Sequence, residues 1–170
     1  MREGNVIGGG DFAADRIIPD CIRAARAKED IIVRNPYSIR PYEHVLEPVT
    51  AYMMVAQAQY EDKKYAGSYN VGPDEKDCLT TGQLVTLFCE KWNRKTNNNI
   101  KWIDRFDGGP HEASFLKLDC SRIKKTFGWQ PRWNVENTMD KIVEWSWEYL
   151  NGRDVAECMK RQIEEFIGDI

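Results

Sequence analysis

Histidine is scarce in this chain, and cysteine never falls into a metal-binding spacing. The 170 residues hold two histidines and five cysteines. The cysteines (Cys21, Cys78, Cys89, Cys120 and Cys158) are odd in number, far apart and never C-x-x-C. That speaks against a zinc site and against a disulfide framework. Thiols used this way suit small core positions in a reducing compartment, so the expected location is the cytoplasm. No apolar run approaches the roughly 20 residues of a membrane span. No charged segment leading into an apolar one marks a secretion signal. A basic excess is also missing. A net charge of −3 and a pI near 5.5 argue against a nucleic-acid binder. Internal repeats and low-complexity linkers are absent as well.

What is present is enough for one domain with a real core, with 42% of residues apolar. Val6-Ile7 is a short apolar stub. A helix fits Pro19 to Ala27, with Ile18, Ile22 and Ala25 on one face. Ile31-Ile32-Val33 reads as a buried strand, and Asn35-Pro36-Tyr37-Ser38 as a turn. A second helix runs from about Pro48 to Tyr60, with Val49, Tyr52, Met53 and Ala56 at helical spacing. "GSYNVGP" is a short strand. Thr80 and Gln83 resemble a capping box opening a helix toward Trp92. "IKWI" is a strand, and residues 104–115 look irregular. Asp119 or Ser121 caps a short helix that Gly128 ends. Asn134 caps another, to about Leu150. Asp154 starts a last amphipathic helix carrying Val155, Cys158, Met159, Ile163, Phe166 and Ile167. The pattern is α/β, with helices dominating the second half.

Gly8, Gly10 and Ala13 spell G-x-G-x-x-A, the letters of a dinucleotide-binding turn. Such a turn needs a buried strand before it, a helix starting on it, and an acid ending the second strand. Here "MREG" precedes Val6, helix signals begin at Pro19, and Arg34-Asn35 follow the second strand. An arginine there could serve NADP. The alternative is a permissive loop after a strand whose partners lie before Met1. Two further segments suit an anion such as a diphosphate. "RPYEHVLEP" (40–48) groups charged residues, a histidine and an aromatic, and "GGPHEASFLKLD" (108–119) sets His111 and Lys117 beside a glycine pair. Glycine lets backbone approach and cations give charge-assisted bonds, although either segment could equally be a solvated loop.

Four segments, in order, carry a resemblance. "REGNVIGGGD" is similar to the R-x-x-N-V-Y-G-P segment of extended short-chain dehydrogenases/reductases, the sugar-nucleotide epimerases and dehydratases. "SIRPYEHVLEP" resembles their I-R-D-[WY]-[IV]-H-V-x-D, "YNVG" their Y-N-[IL]-G strand, and "DCSRIKKTFGWQPRW" their D-x-S-K-x-x-x-x-L-G-W-x-P. Within the family, "GGGD", "VRNP", "RPYEHVLEP" and "PHEASFLKLD" are most similar to the CDP-glucose 4,6-dehydratases. The resemblance implies the C-terminal part of such a fold: the last Rossmann strands plus a mostly helical substrate-binding lobe, over residues 1–170. The NAD-binding half, with its own glycine fingerprint and the catalytic Tyr-x-x-x-Lys, is expected to be absent. Tyr60 and Lys64 have that spacing but run into the solvated "EDKK".

The family reaction so implied is an NAD-dependent internal redox dehydration of CDP-glucose to the 4-keto-6-deoxy sugar, with no turnover expected from this chain alone. The implied partners are a CDP-sugar and an N-terminal half or full-length subunit. A non-enzymatic binding or interaction protein on the same scaffold, another sugar-nucleotide epimerase/dehydratase, and an NAD(P) domain using Gly8 to Ala13 are the competing readings.

Carried over by position, Asn5 matches the asparagine near the diphosphate, or is a turn residue bonding its own backbone. Arg40 matches the arginine that grips phosphate, where a planar fork suits the geometry. Asn70 matches the strand asparagine close to the same phosphates. Arg34 falls where relatives place a base-contacting side chain. Ile17 and Ile18 line the nucleotide side or belong to the core. Relatives have Arg-Pro-Gly before the last strand. Here Gly109-Pro110-His111 stands instead, and His111 or Lys117 is the expected substitute. His44 is read as a packing residue, and Gly128-Trp129 as structural. Catalytic, cofactor-binding and metal-ligating residues are expected in none of these positions.

Overall fold

A computed structural model describes residues 1–106, 108 and 115–168. The elements in chain order are β1 (Arg2–Glu3), β2 (Asn5–Ile7), α1 (Ile17–Ala27), β3 (Ile31–Val33), β4 (Ile39–His44), α2 (Leu46–Glu61), β5 (Asn70–Val71), β6 (Cys78–Thr80), α3 (Thr81–Thr96), β7 (Trp102–Asp104), α4 (Ser121–Phe127), α5 (Val135–Leu150) and α6 (Val155–Gly168). Among the described residues, β2 runs parallel to β4, and β6 joins β4 on its other side, antiparallel. Two further parallel pairs, β1 with β5 and β3 with β7, complete the strands.

The helix ends follow local chemistry. Thr80 and Gln83 form the reciprocal capping box at the start of α3. The Asn134 side chain accepts from the Asn137 N–H at the start of α5. Gly128 ends α4 in the left-handed region, at φ 66°. Asp154 Oδ1 accepts from the backbone of Ala156 and Glu157 at the start of α6.

Two apolar clusters hold the elements together. One joins Ile18, Cys21 and Ile22 of α1 to Leu84 and Phe88 of α3 and to Met139 and Ile142 of α5. The other joins Ala51 and Val55 of α2 to Val71, Ile123 and Trp129. Four of the five cysteines (Cys21, Cys89, Cys120 and Cys158) are buried and free, as small core residues.

Several sequence expectations need correction. Residues 39–44 form strand β4, for which the sequence pattern offered no element. Five of its six residues are buried, because it lies between β2 and β6. β3 is only half-buried: Ile31 and Val33 face the core, whereas Ile32 points outward. α1 begins at Ile17, two residues before Pro19, and α2 spans Leu46–Glu61. α2 buries Glu47, Pro48, Ala51 and Val55, so the stripe of Val49, Tyr52 and Met53 is the exposed side. Cys120, not Asp119 or Ser121, is the N-cap of α4, while Asp119 Oδ1 accepts from Ser121 N at 2.9 Å. On α6, Cys158, Gln162 and Phe166 are buried, and Met159, Ile163 and Ile167 are exposed.

Candidate functional site

A cavity of about 1030 Å³ opens between β2, the start of α1, the end of β3, β4 and α2. Its deeper wall is built on β4. Arg40 and Tyr42 are two residues apart on a strand, so both project to one face. Both are buried and both line the cavity. The strand is pinned from both sides. On β2, Asn5 pairs with Tyr42 in register. On the other side, Tyr42 Oη and Ser38 Oγ each lie 3.1 Å from Thr81 Oγ1. The Arg40 guanidinium donates to the Ile39 carbonyl at 2.9 Å. The first N–H groups of α3 are already bonded, Thr81 to Ser38 and Gly82 to Pro36. Arg40 is thus the cationic side chain on this wall.

α1 supplies the opposite wall. Its N-cap, Arg16, makes no side-chain capping bond, and Ile17, Ile18 and Pro19 open into the cavity. A helix's first N–H groups have no partner within the helix; here Pro19 has no N–H and Asp20 N is bonded to the Arg16 carbonyl, so the start of α1 offers the Ile17 and Ile18 N–H groups to an anion. Sequence periodicity had placed the helix start at Pro19 and missed this. At the rim, the acids are met by arginines: Asp11 by Arg16 at 3.4 Å, Asp15 by Arg34, and Asp20 by Arg23.

Of the residues singled out from the sequence, Asn5, Ile17, Arg34 and Arg40 line this one cavity. Asn70 and Lys117 are not on its lining. Asn70 Nδ2 donates to the Asp119 carbonyl at 2.9 Å, tying β5 to the start of α4. Lys117 pairs with Glu75 and lies over the Phe115 ring. His111 lies outside the described residues. His44 is buried against Trp133, and its Nδ1 accepts from Leu46 N at 3.3 Å. Burial, with the Lys141 charge adding, pushes its pKa down to about 4, so it is a neutral packing group.

The glycine loop does not fit a dinucleotide cradle. No helix starts on it; α1 begins seven residues after Gly10. The tightest glycine of the loop is Gly9, which the fingerprint leaves open. A Cβ there would stand 2.3 Å from Trp145 Cδ2. An indole of this same chain thus fills the space that close approach of a pyrophosphate would need. Gly10 is required instead by its φ of +81°. Among the described residues, no cluster of three or more histidine, cysteine or carboxylate side chains could hold a metal ion, and no helix is long and apolar enough to cross a membrane.

No family model matches the chain. It is 42% identical over 168 residues, 98% of its length, to CDP-glucose 4,6-dehydratase of Salmonella typhimurium, of which it covers 46%. It is 26% identical over 140 residues to dTDP-glucose 4,6-dehydratase of Haemophilus influenzae, covering 78% of this chain and 40% of that protein. The chain thus spans less than half the length of these curated relatives. Its fold is similar to dTDP-glucose 4,6-dehydratase of Bacillus anthracis, solved with NAD, at a TM-score of 0.69 and 17% identity over 89% of this chain and 45% of that one. It is equally similar to UDP-glucose 4-epimerase of Thermotoga maritima, solved with UDP-glucose, at 0.69 and 20% identity over 88% and 45%. By sequence and by fold, the chain is thus similar to sugar-nucleotide 4,6-dehydratases and 4-epimerases across a little under half of their length.

Proposed function

We propose that this chain is the nucleotide-sugar-binding portion of a CDP-glucose 4,6-dehydratase and that its ligand is a CDP-sugar. The observation that carries the reading is the convergence of Asn5, Ile17, Arg34 and Arg40 on one cavity, although they are spread over β2, α1, β4 and the segment after β3. The cavity has the volume of a small-ligand site. Its buried Arg40 fork and the start of α1 suit a diphosphate, and its apolar side chains Ile17, Ile32 and Phe106 suit a flat base.

In a whole enzyme NAD, held outside the cavity, would supply the hydride chemistry, and the residues of this chain would bind and orient the nucleotide sugar. The catalytic Tyr-x-x-x-Lys and the NAD cradle belong to a partner segment. Tyr60, the tyrosine with lysine at that spacing, is 93% exposed at the end of α2, away from the cavity lining. The outer face of α2 and the free side of β2 are the surface that such an N-terminal half or subunit would cover. The working compartment is the cytoplasm.

Calorimetric titration with CDP tests the reading. Losing a charge-assisted contact costs about 1.5–3 kcal/mol, so Arg40→Ala should weaken CDP about tenfold to a hundredfold. Equal affinity in wild type and variant would remove Arg40 from the site. The same preparation, given NAD and CDP-glucose, should yield no 4-keto product by its absorbance in alkali. Clear product would contradict the division of labour.

A further inference from the structure

Asp15 and Arg34 meet across the mouth of the cavity. Asp15 ends the loop before α1, and Arg34 follows β3 directly. Both line the cavity, and their side chains are 75% and 67% exposed. A pair that open to water adds little to stability. Asp15 also holds a φ of 59°, a conformation that is costly for most residues and tolerated best by Asp and Asn among those with a side chain. An acid at a strained rim position, in a pair of little structural worth, calls for a role toward whatever enters the cavity.

The surroundings define that role. Ile17, Ile32 and Phe106 line the same cavity, and the last two are about half exposed. Arg105 N donates to the Val33 carbonyl at 2.9 Å, so Phe106 and Arg34 leave the ends of two paired strands side by side. This end of the cavity is an apolar slot with a carboxylate and a guanidinium at its edge. One group only accepts hydrogen bonds and the other only donates.

We infer that Asp15, paired with Arg34, selects the base by reading its hydrogen-bonding edge, and that the pattern it accepts is that of cytosine. This rests on the nucleotide-sugar reading above. Cytosine carries an amine donor at N4 beside the acceptor N3. The carboxylate accepts from the amine, and the guanidinium donates to the acceptor. Uracil and thymine carry a carbonyl oxygen, O4, where cytosine has its amine. With the base held in that register by its sugar and diphosphate, O4 would face the Asp15 carboxylate, acceptor against acceptor, and N3–H would face the guanidinium, donor against donor. Asp15 is thus a specificity-determining residue acting by attraction to one base and repulsion of the other two.

The test is the ratio of CDP to UDP affinity, by calorimetry, in wild type and in Asp15→Asn. The asparagine tolerates the same backbone conformation and can donate to O4. A matched polar pair discriminates bases by about 1–3 kcal/mol, so wild type should prefer CDP by about tenfold or more. Asp15→Asn should bring the ratio to within about twofold, chiefly by gaining UDP. Pyrophosphate, measured alongside, should bind both proteins alike. An unchanged ratio overturns the role of Asp15 while leaving the nucleotide site standing. A parallel loss of pyrophosphate binding also overturns it, because Asp15 then acts on the shape of the loop. Failure of the wild type to bind either nucleotide overturns the site and the inference together.

Discussion

Glu43 and His44 are consecutive on β4 and both nearly inaccessible, and burial shifts their pKa values in opposite directions. Glu43 Oε1 accepts from Gly4 N at 2.9 Å, while Oε2 is buried with no hydrogen-bond partner among the described residues. Burial pushes the Glu43 carboxyl up to about 7, against the Gly4 N–H, with the Glu47 and Glu3 charges adding. Glu47 is raised in the same direction by burial, although the Trp133 and Arg132 N–H groups oppose it. A carboxyl raised in the folded state contributes stability below its unfolded value, 4.5, and loses it as pH rises through about 7. His44 runs the other way. Its contribution is full above 6.5 and is lost as pH falls toward about 4. The two effects offset between 4.5 and 6.5. Relative to wild type, Glu43→Gln should gain about 3 kcal/mol of urea-unfolding stability as pH rises from 4.5 through about 7, because Glu47 and His44 titrate alike in both proteins and cancel in the difference. Parallel curves for the two proteins would show that Glu43 is ionised throughout. The sequence alone placed His44 correctly as a packing residue. Glu43 drew no attention, because only the register of β4 shows that it is enclosed.

At the scale of elements, what was legible depended on length and caps. The longer helices announced themselves through spacing, and the Thr80–Gln83 box and Asn134 marked two starts to the residue. Strands of two or three residues carry too little pattern to read alternation. β4, at six, hid because Arg40, Glu43 and His44 are polar yet buried. Of the residues singled out for the candidate site, Asn5, Ile17, Arg34 and Arg40 line one cavity, whereas Asn70 and Lys117 are engaged by Asp119 and Glu75 on other elements, contacts that no spacing reveals. The glycine loop shows letters and sterics diverging. Gly9→Ala should destabilise the chain by about 1–3 kcal/mol through overpacking, because its methyl meets Trp145. Adding Trp145→Leu should recover part of that loss in thermal unfolding. Full tolerance of Gly9→Ala alone would mean that the indole does not set the loop.

For the whole molecule, the open surfaces and the cavity belong together. α2 is apolar on both sides: Ala51 and Val55 are buried, and Val49, Tyr52 and Met53 are exposed. A helix apolar all round is normally covered all round, and parallel strand pairs are normally buried on both faces. Val49 and Tyr52 also line the cavity, so the exposed face of α2 borders the site. A second cavity of about 400 Å³, between α3 and α5, is lined by Lys91, Arg94, Lys95 and Lys141. It serves as an internal contrast, because Lys91 is held by Asp140 at 2.7 Å and Lys141 by Glu165. The most direct measurement is a CDP titration followed residue by residue through backbone amide NMR shifts. The account predicts saturable shifts at residues 5–8, 17–18, 33–35 and 40–42, with residues 141–144 unmoved. Shifts confined to the α3–α5 surface, or none at all, would contradict a nucleotide site in the cavity around Arg40.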